Sequence, residues 1–589
     1  MDKIISHQRN LRCVEFNLKG TTGIIRIRFA KKNFPVIKME TQKKEAVRIN
    51  YDDIKIGSTN VCGVFTIFAE QIAGNYVSLL DSENITIEPP KPVPTYHECG
   101  NIVGSNYTSS SSCNQIEFWD RFEELVPEIK GELKAASGIG INSLRVFLHE
   151  YVFTRSPQKM LERMDIFTSL CAEQKIKPLY VFFDDCWYGD KERVLDFRPI
   201  PGSHNGRWAK CPLLADRKYE NFLNFEKYIK KIISGFRNDE RIFGWDIWNE
   251  PKNNGLGLTT WVDTEFTQDL MLNAFLWARQ VNPVQPLVSC WEGDIYGDIN
   301  NQHNYAGSGV WENQTGVGAA VDINRGTIIT EAGCRTWKSA GYGSPVHWIS
   351  VLEERRKNGL PNPGVYLNWE LMAGNSNCTW HWSSKAGDKK PGIPWCGFFF
   401  NDLTPVSVAE TSALRRYTGL PDKSIILEGF DTSQSFNISE LKRAGHFTIF
   451  NDGRLGELRH TGKKTERLVF NKAIQKNNWD AQVFIRLDSA GAMGGIALTA
   501  KNDIFSVLFQ KDGLAYKTPE TSISISKEIS IGEQHNVKIS ASKKDIIKIY
   551  LDDLKEPCIE VGLTIKTSGK ISLIASGNLA FDDFAVVYS

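Results

Sequence analysis

Between about residues 100 and 420 the chain alternates eight short apolar runs with longer amphipathic stretches, and this rhythm limits the possible folds most severely. The runs fall at 102–107, 143–148, 177–183, 243–248, 286–290, 302–305, 327–330 and 364–368. Helical spacing of apolar residues follows at about 115–136, 157–174, 217–236, 260–281, 345–357 and 407–417. Strands buried on both faces read as apolar runs, and parallel strands need long crossovers, usually helices, to join them. Eight such steps predict a closed (β/α)₈ barrel, a TIM barrel, over 96–424.

The flanks have another texture. Stretches such as Gly23-Ile-Ile-Arg-Ile-Arg-Phe and Ile547-Lys-Ile-Tyr-Leu alternate with period two, and no helical period is sustained around them. Residues 1–95 are therefore expected to form a small antiparallel β-sandwich, ending in the stiff segment Pro89-Pro-Lys-Pro-Val-Pro. Residues 425–589 are expected to form a lectin-like jelly roll of concanavalin type, a candidate carbohydrate-binding module. The predicted class is multidomain, α/β plus all-β.

Several function classes are disfavoured. A net charge of +1 argues against nucleic acid or an anionic membrane as partner. No apolar run is long enough to span a bilayer. The 12 cysteines are irregularly spaced without a Cys-x-x-Cys pair, so no metal site is expected, and no phosphate loop points to a cofactor. The first residues, Met1 to Gln8, lack a signal's apolar segment, so the chain reads as intracellular or as exported and already trimmed. The 16 tryptophans, most of them between Trp119 and Trp395, suit a sugar ligand, whose rings present flat apolar faces.

The chemistry is expected where the fourth and seventh runs end. Phe243-Gly-Trp-Asp-Ile-Trp carries one charge, Asp246, and stops at Asn249-Glu250-Pro251, because proline cannot extend a ladder. Glu250 then sits on the carboxyl-terminal lip of a barrel strand, on a floor of tryptophan whose apolar character raises its pKa. Glu331 follows Thr327-Ile-Ile-Thr330 in the same way, 81 residues later. Strands four and seven face each other across an eight-strand ring. Two carboxyls about 5 Å apart are what retaining glycoside cleavage requires.

Trp248-Asn-Glu-Pro251 with Thr330-Glu-Ala-Gly333 resembles the clan A glycoside hydrolases, retaining (β/α)₈ enzymes that include the family 5 cellulases and mannanases. The resemblance covers about residues 100–420. It implies that Glu250 is the general acid/base, Glu331 the nucleophile, and Asn249 the amide that holds the sugar 2-hydroxyl. It also implies that Arg145 steadies the nucleophile, that His303 and Tyr305 form the His-x-Tyr motif with the tyrosine on the nucleophile, and that Trp369 floors the sugar. Glu150, Asp184, Asp185 and Glu292, beside Trp291, are further lip carboxylates that could bind hydroxyls. The stretch 372–403 is long for a loop and carries Trp380, His381, Trp382 and Trp395, so it is expected to wall the cleft and stack on sugar. The expected substrate is a poly- or oligosaccharide. Two alternatives stand beside this reading: an exo-acting β-glycosidase on short oligosaccharides, and a non-catalytic carbohydrate-binding protein.

Overall fold

The computed structural model describes residues 4–8, 12–31, 36–42, 45–56, 59–91, 99–253, 262–305, 325–336, 343–430, 445–451, 456–475, 478–499, 503–542, 546–552, 555–562 and 569–588. Eight parallel strands make the central sheet: β1 (Val103–Tyr107), β2 (Ser143–Phe147), β3 (Lys177–Asp184), β4 (Gly244–Asn249), β5 (Leu287–Val288), β6 (Asn300–Asn304), β7 (Thr327–Ala332) and β8 (Gly364–Leu367). Their order is β5-β4-β3-β2-β1-β8-β7-β6, a TIM-like barrel in which β1 pairs with both β2 and β8. No ladder joins β5 to β6 among the described residues.

All eight expected strands are present, but the fifth shrinks to two residues. Pro286 has no N–H to give, and the Leu287 N–H is taken by the Asp298 carboxylate at 2.8 Å. A 3-10 helix, Trp291–Tyr296, follows β5 where a regular barrel has an α-helix. The expected helix at 115–136 is two, Gln115–Asp120 and Phe122–Gly138, separated at Arg121. Asn114 caps the first, accepting from the N–H groups of Ile116 and Glu117. The helices Phe222–Phe236 and Thr264–Val281 bury their apolar faces beside β3 and β4, and Trp245 of β4 stacks on Tyr180 of β3 with centroids 5.9 Å apart.

The N-terminal flank is antiparallel, as expected, with a three-stranded and a four-stranded sheet. Phe16, Ile27, Phe29 and Phe65 join one continuous apolar core with the barrel helices. Asn273 of the helix Thr264–Val281 clamps this flank by exchanging two hydrogen bonds with the Cys62 backbone, at 2.8 and 2.9 Å. Of the proline-rich stretch, residues 92–98 lie outside the described residues.

The C-terminal flank is a jelly-roll-like sandwich of an eight-stranded and a six-stranded antiparallel sheet around Trp479, Phe505, Val537, Ile549 and Phe581. The alternating stretch at 547–551 is the strand Ile546–Leu551, and further strands complete the two sheets. The outer face of the larger sheet touches the barrel. Gln482 and Asn536 donate to the Val406 carbonyl at 2.7 and 3.2 Å, and Phe484 packs on Ile393 and Val406. All 12 cysteines are free thiols, and Cys62 and Cys290 are buried, as small apolar residues would be. No described helix is long and apolar enough to cross a membrane.

Candidate active site

Arg145, in the middle of β2, organises the site. It is fully buried and its hydrogen-bond partners are charged or carbonyl-type acceptors: Asp246 Oδ2 at 2.9 Å from Nε, Asn249 Oδ1 at 2.7 Å from Nη2, and Glu331 Oε1 at 2.8 Å from Nη1. Asn106 of β1 adds a fourth acceptor at 3.1 Å and anchors itself on the carbonyls of Thr330 and Asn368. A guanidinium suits this position because its planar fork reaches several acceptors at once. The single charge within strand β4, Asp246, is thus a structural counter-ion. Its carboxyl is pushed up to about 6 by burial, against the pull of Arg145.

Replacing Arg145 with methionine should destabilise the protein by about 3–5 kcal/mol, because Asp246 and Glu331 are left buried without a counter-charge. Denaturant melts of the variant, and of the Arg145→Met/Asp246→Asn pair, check this. The pair is expected to recover part of the loss.

Glu250 and Glu331 meet as expected. An oxygen of each and a ring nitrogen of His303 all lie within 4.8 Å of one another. Glu331 is the charge-stabilised partner: Arg145 holds one oxygen, and the Tyr305 hydroxyl donates to the other at 2.5 Å. Glu250 has only uncharged donors on Oε2, the Cys186 thiol at 3.1 Å and the Asn253 amide. Its Oε1 faces His303 Nδ1 at 2.7 Å. Burial pushes both carboxyls upward, and the charge of Glu250 pushes Glu331 further in the same direction. The proton they share belongs on Glu250, since the cation and the phenol both stand at Glu331. Burial also pushes His303 down to about 4, so its ring is neutral at ordinary pH.

Two backbone features aim these groups. Glu250 has φ +43°, a left-handed turn costing a non-glycine residue about 1–2 kcal/mol, which swings its carboxyl back over the lip. A bulge between Gln302 and His303 shifts the β6–β7 register so that His303 pairs with Glu331. Without it Thr330 would stand opposite His303 and, by strand alternation, Glu331 would fall on the other face.

The same three residues are near enough to raise the question of a cation. The donor set argues otherwise: the Arg145 charge stands 2.8 Å from Glu331, and each carboxylate oxygen already has a hydrogen-bonding neighbour. It is a proton-handling cluster.

The remaining expected residues take different places. Asn249 is buried; its amide nitrogen reaches Asp184 at 2.9 Å and Cys186 Sγ at 3.3 Å. Trp369, 4% exposed, wedges edge-on against Phe147 and Trp208, with Nε1 on Asn205 Oδ1 at 3.2 Å. Trp382 stands perpendicular to Tyr305 at 5.5 Å, and Trp395 stacks on the same ring at 6.2 Å. Trp380 is farther out, its carbonyl accepting from His204 at 2.6 Å. Trp291 is half-buried at the start of its 3-10 helix. The tryptophan floor expected under Glu250 is not Trp248, which packs on Phe183 in the main core at 4.9 Å.

Among the other lip carboxylates, Asp185 is an anchor for Arg217, at 2.6 Å, and for the Lys252 N–H. Glu292 is exposed, with Lys252 at 3.8 Å. Glu150 is buried and pushed up to about 8 by burial. Asp184 comes nearest to the site, through Asn249 and Trp208 Nε1. Cys186, Cys290 (which accepts from the Glu250 N–H at 3.1 Å), Asn106, Thr330 and Asn301 complete the site without having been singled out for it from the sequence.

No family model and no curated protein matches the chain. Among solved structures it is similar to GH5_18 from Streptomyces cattleya in complex with GlcNAc (13% identity, TM-score 0.38, covering 56% of this chain and 82% of that one). It is similar to the exo-beta-1,4-mannosidase Op5Man5 from Opitutaceae bacterium strain TAV5 (13%, 0.34, covering 56% and 61%). The carbohydrate binding module CBM66 from Bacillus subtilis matches over 24% of this chain and 91% of its own (15%, 0.20). Likenesses at this level decide nothing about activity, and the functional reading rests on the site.

Proposed function

We propose that the chain is a retaining glycoside hydrolase acting on β-linked oligo- or polysaccharides. The observation that carries this is the pair of carboxyls, Glu331 buried and charge-stabilised and Glu250 half-buried and not, with an oxygen of each within 4.8 Å of the other at the lip of the barrel. Glu331 attacks the anomeric carbon from below while Glu250 gives its proton to the departing oxygen. Water then enters, Glu250 takes a proton from it, and the glycosyl–Glu331 bond breaks with net retention. Hydrolysis of aryl β-glycosides followed by NMR of the first-formed anomer tests this. A first-formed β-anomer is expected; an α-anomer, or no turnover on any β-glycoside, speaks against it.

One observation favours exo action over endo action. The loops after β1, β3 and β8 are knitted together. Asn377 donates to the Ile200 carbonyl at 2.7 Å, the Gly387 N–H to Pro201 at 2.9 Å, Asn375 to Ser110 at 2.8 Å, and Asn114 to Arg207 at 2.7 Å. Their shared wall abuts Trp369 through Asn205 and Trp208, and a wall of this kind at one end of a cleft favours a chain end over a chain interior. Release of single sugars from an oligosaccharide series is the expected product pattern.

Trp382 is read as a sugar-stacking face on this wall. Trp382→Ala is expected to raise KM about tenfold with kcat little changed, the loss of one aromatic contact. An unchanged KM on the oligosaccharide series removes that role.

A further inference from the structure

We propose that Asn301 and Thr330 fix which nitrogen of His303 carries hydrogen, and thereby keep the proton affinity of Glu250 high through both halves of the reaction. The inference rests on the hydrolase reading above and assigns positioning roles to two residues beyond the catalytic pair.

The chain of contacts is continuous. His303 Nε2 stands 3.1 Å from Thr330 Oγ1, and Thr330 Oγ1 stands 2.8 Å from Asn301 Oδ1. Asn301 is 1% exposed, and its backbone N–H donates to Asp294 Oδ1 at 2.7 Å. An amide oxygen can only accept, so the single hydroxyl hydrogen of Thr330 goes to Asn301. The hydroxyl oxygen then has only lone pairs to offer His303, and Nε2 must be the protonated nitrogen. A neutral imidazole has one N–H, so Nδ1 presents a bare lone pair.

That lone pair faces Glu250 Oε1 at 2.7 Å, with Glu331 Oε2 at 3.4 Å. Two carboxylates set against it would repel. One proton between Glu250 Oε1 and His303 Nδ1 removes the conflict, and the rest of Glu250 agrees: Oε2 accepts from Cys186 and Asn253, as the carbonyl oxygen of a carboxylic acid does. The Glu250 proton turns to the glycosidic oxygen when the bond breaks. The carboxylate left behind still faces the Nδ1 lone pair, and this makes it the stronger base for drawing a proton from water in the second half.

The groups around Glu250 on the other elements are Arg145, Cys186, Lys210, Cys290, Tyr305 and Glu331. The cations Arg145 and Lys210 draw its proton affinity down, and the relay works against them. With the relay cut, His303 is free to move its hydrogen to Nδ1 and donate to ionised Glu250, which lowers that affinity.

The test is the pH dependence of kcat/KM on an aryl β-glycoside for wild type, Thr330→Val and Thr330→Ser. The alkaline limb, which reports loss of the Glu250 proton, is expected to move about one unit toward lower pH in T330V. T330S, which restores the hydroxyl, is expected to keep the limb where wild type has it. A T330V limb that stays in place overturns the proposal, whatever happens to the rate, because a packing defect alone lowers kcat without moving the limb. Nitrogen-15 NMR of histidine-labelled wild type, assigned against His303→Asn, gives a reading independent of turnover. An Nε2–H tautomer supports the relay and an Nδ1–H tautomer overturns it. Absence of turnover on every β-glycoside would count against the hydrolase reading, and the tautomer would still decide the relay.

Discussion

Replacing Glu331 with glutamine is expected to lower kcat by a factor on the order of 10⁴ to 10⁶, the scale seen when a covalent nucleophile is removed. Glutamine keeps the shape and still accepts from Tyr305 or Arg145, so the fold should survive. What disappears is the negative charge that Arg145 at 2.8 Å and the Tyr305 hydroxyl at 2.5 Å are arranged to hold. Among the described residues no other carboxylate is placed to take over. Asp246 lies behind Arg145 within the barrel, and Asp184 is turned toward Asn249 and Trp208. The measurement is single-turnover release of an aryl leaving group, with intact-protein mass after trapping by a 2-deoxy-2-fluoro β-glycoside. Wild type should gain one glycosyl mass, mapped to Glu331, and the variant none. Turnover of E331Q within tenfold of wild type would remove Glu331 as nucleophile.

The two carboxyls were legible because their signal is local: an apolar run that stops abruptly at an acid marks a strand end on the barrel lip. Arg145 was singled out only through the resemblance, and its buried place in β2 explains why it needs acceptors there. The sequence also carried a hint that went further than its first use. Asp246, a charge inside an otherwise apolar run, needed a buried partner, and that partner is Arg145. Cys186 and Cys290 gave no warning, because a cysteine in an apolar run reads as a small hydrophobe, and only the closed barrel brings their sulfurs to the side chain and N–H of Glu250. Trp248 misled for a related reason. It neighbours Asn249 and Glu250 in the chain, yet its ring packs outward on Phe183, and the rings beside Tyr305 are Trp382 and Trp395 from the stretch after β8. The relay from Asn301 to His303 was invisible because it depends on the β6–β7 register, which a one-residue bulge sets. The fifth strand was overestimated because proline and the turn at Trp291, φ +53°, shorten an apolar run that composition alone does not.

Removing the acid should give a different signature from removing the nucleophile. Glu250→Ala is expected to reduce turnover of an unactivated disaccharide on the order of 10² to 10⁴-fold, the range of general acid–base assistance. Glycosylation by a dinitrophenyl glycoside should be nearly unimpaired, because that leaving group departs without a proton. Its glycosyl-enzyme then accumulates, since no base remains to activate water, and a burst followed by slow release is the expected trace. Added azide, a nucleophile that needs no base, should restore turnover and give a β-glycosyl azide, the product of attack on a covalent α-linked intermediate. The alkaline limb of kcat/KM should also vanish with the side chain. In wild type, activity is expected to fall as pH rises through the Glu250 pKa, which burial sets above the ordinary carboxylate range and which the donors Cys186 and Asn253 only partly offset. Cys186, Asn253 and His303 would remain around the gap, so the cavity left by alanine is lined with polar groups and open to the small anion. An E250A variant that loses activity equally on activated and unactivated glycosides, with no response to azide, would place the proton donor elsewhere on the lip. Asp184 would then be the first residue to examine, since it is held next to Asn249 and burial pushes it up to about 6.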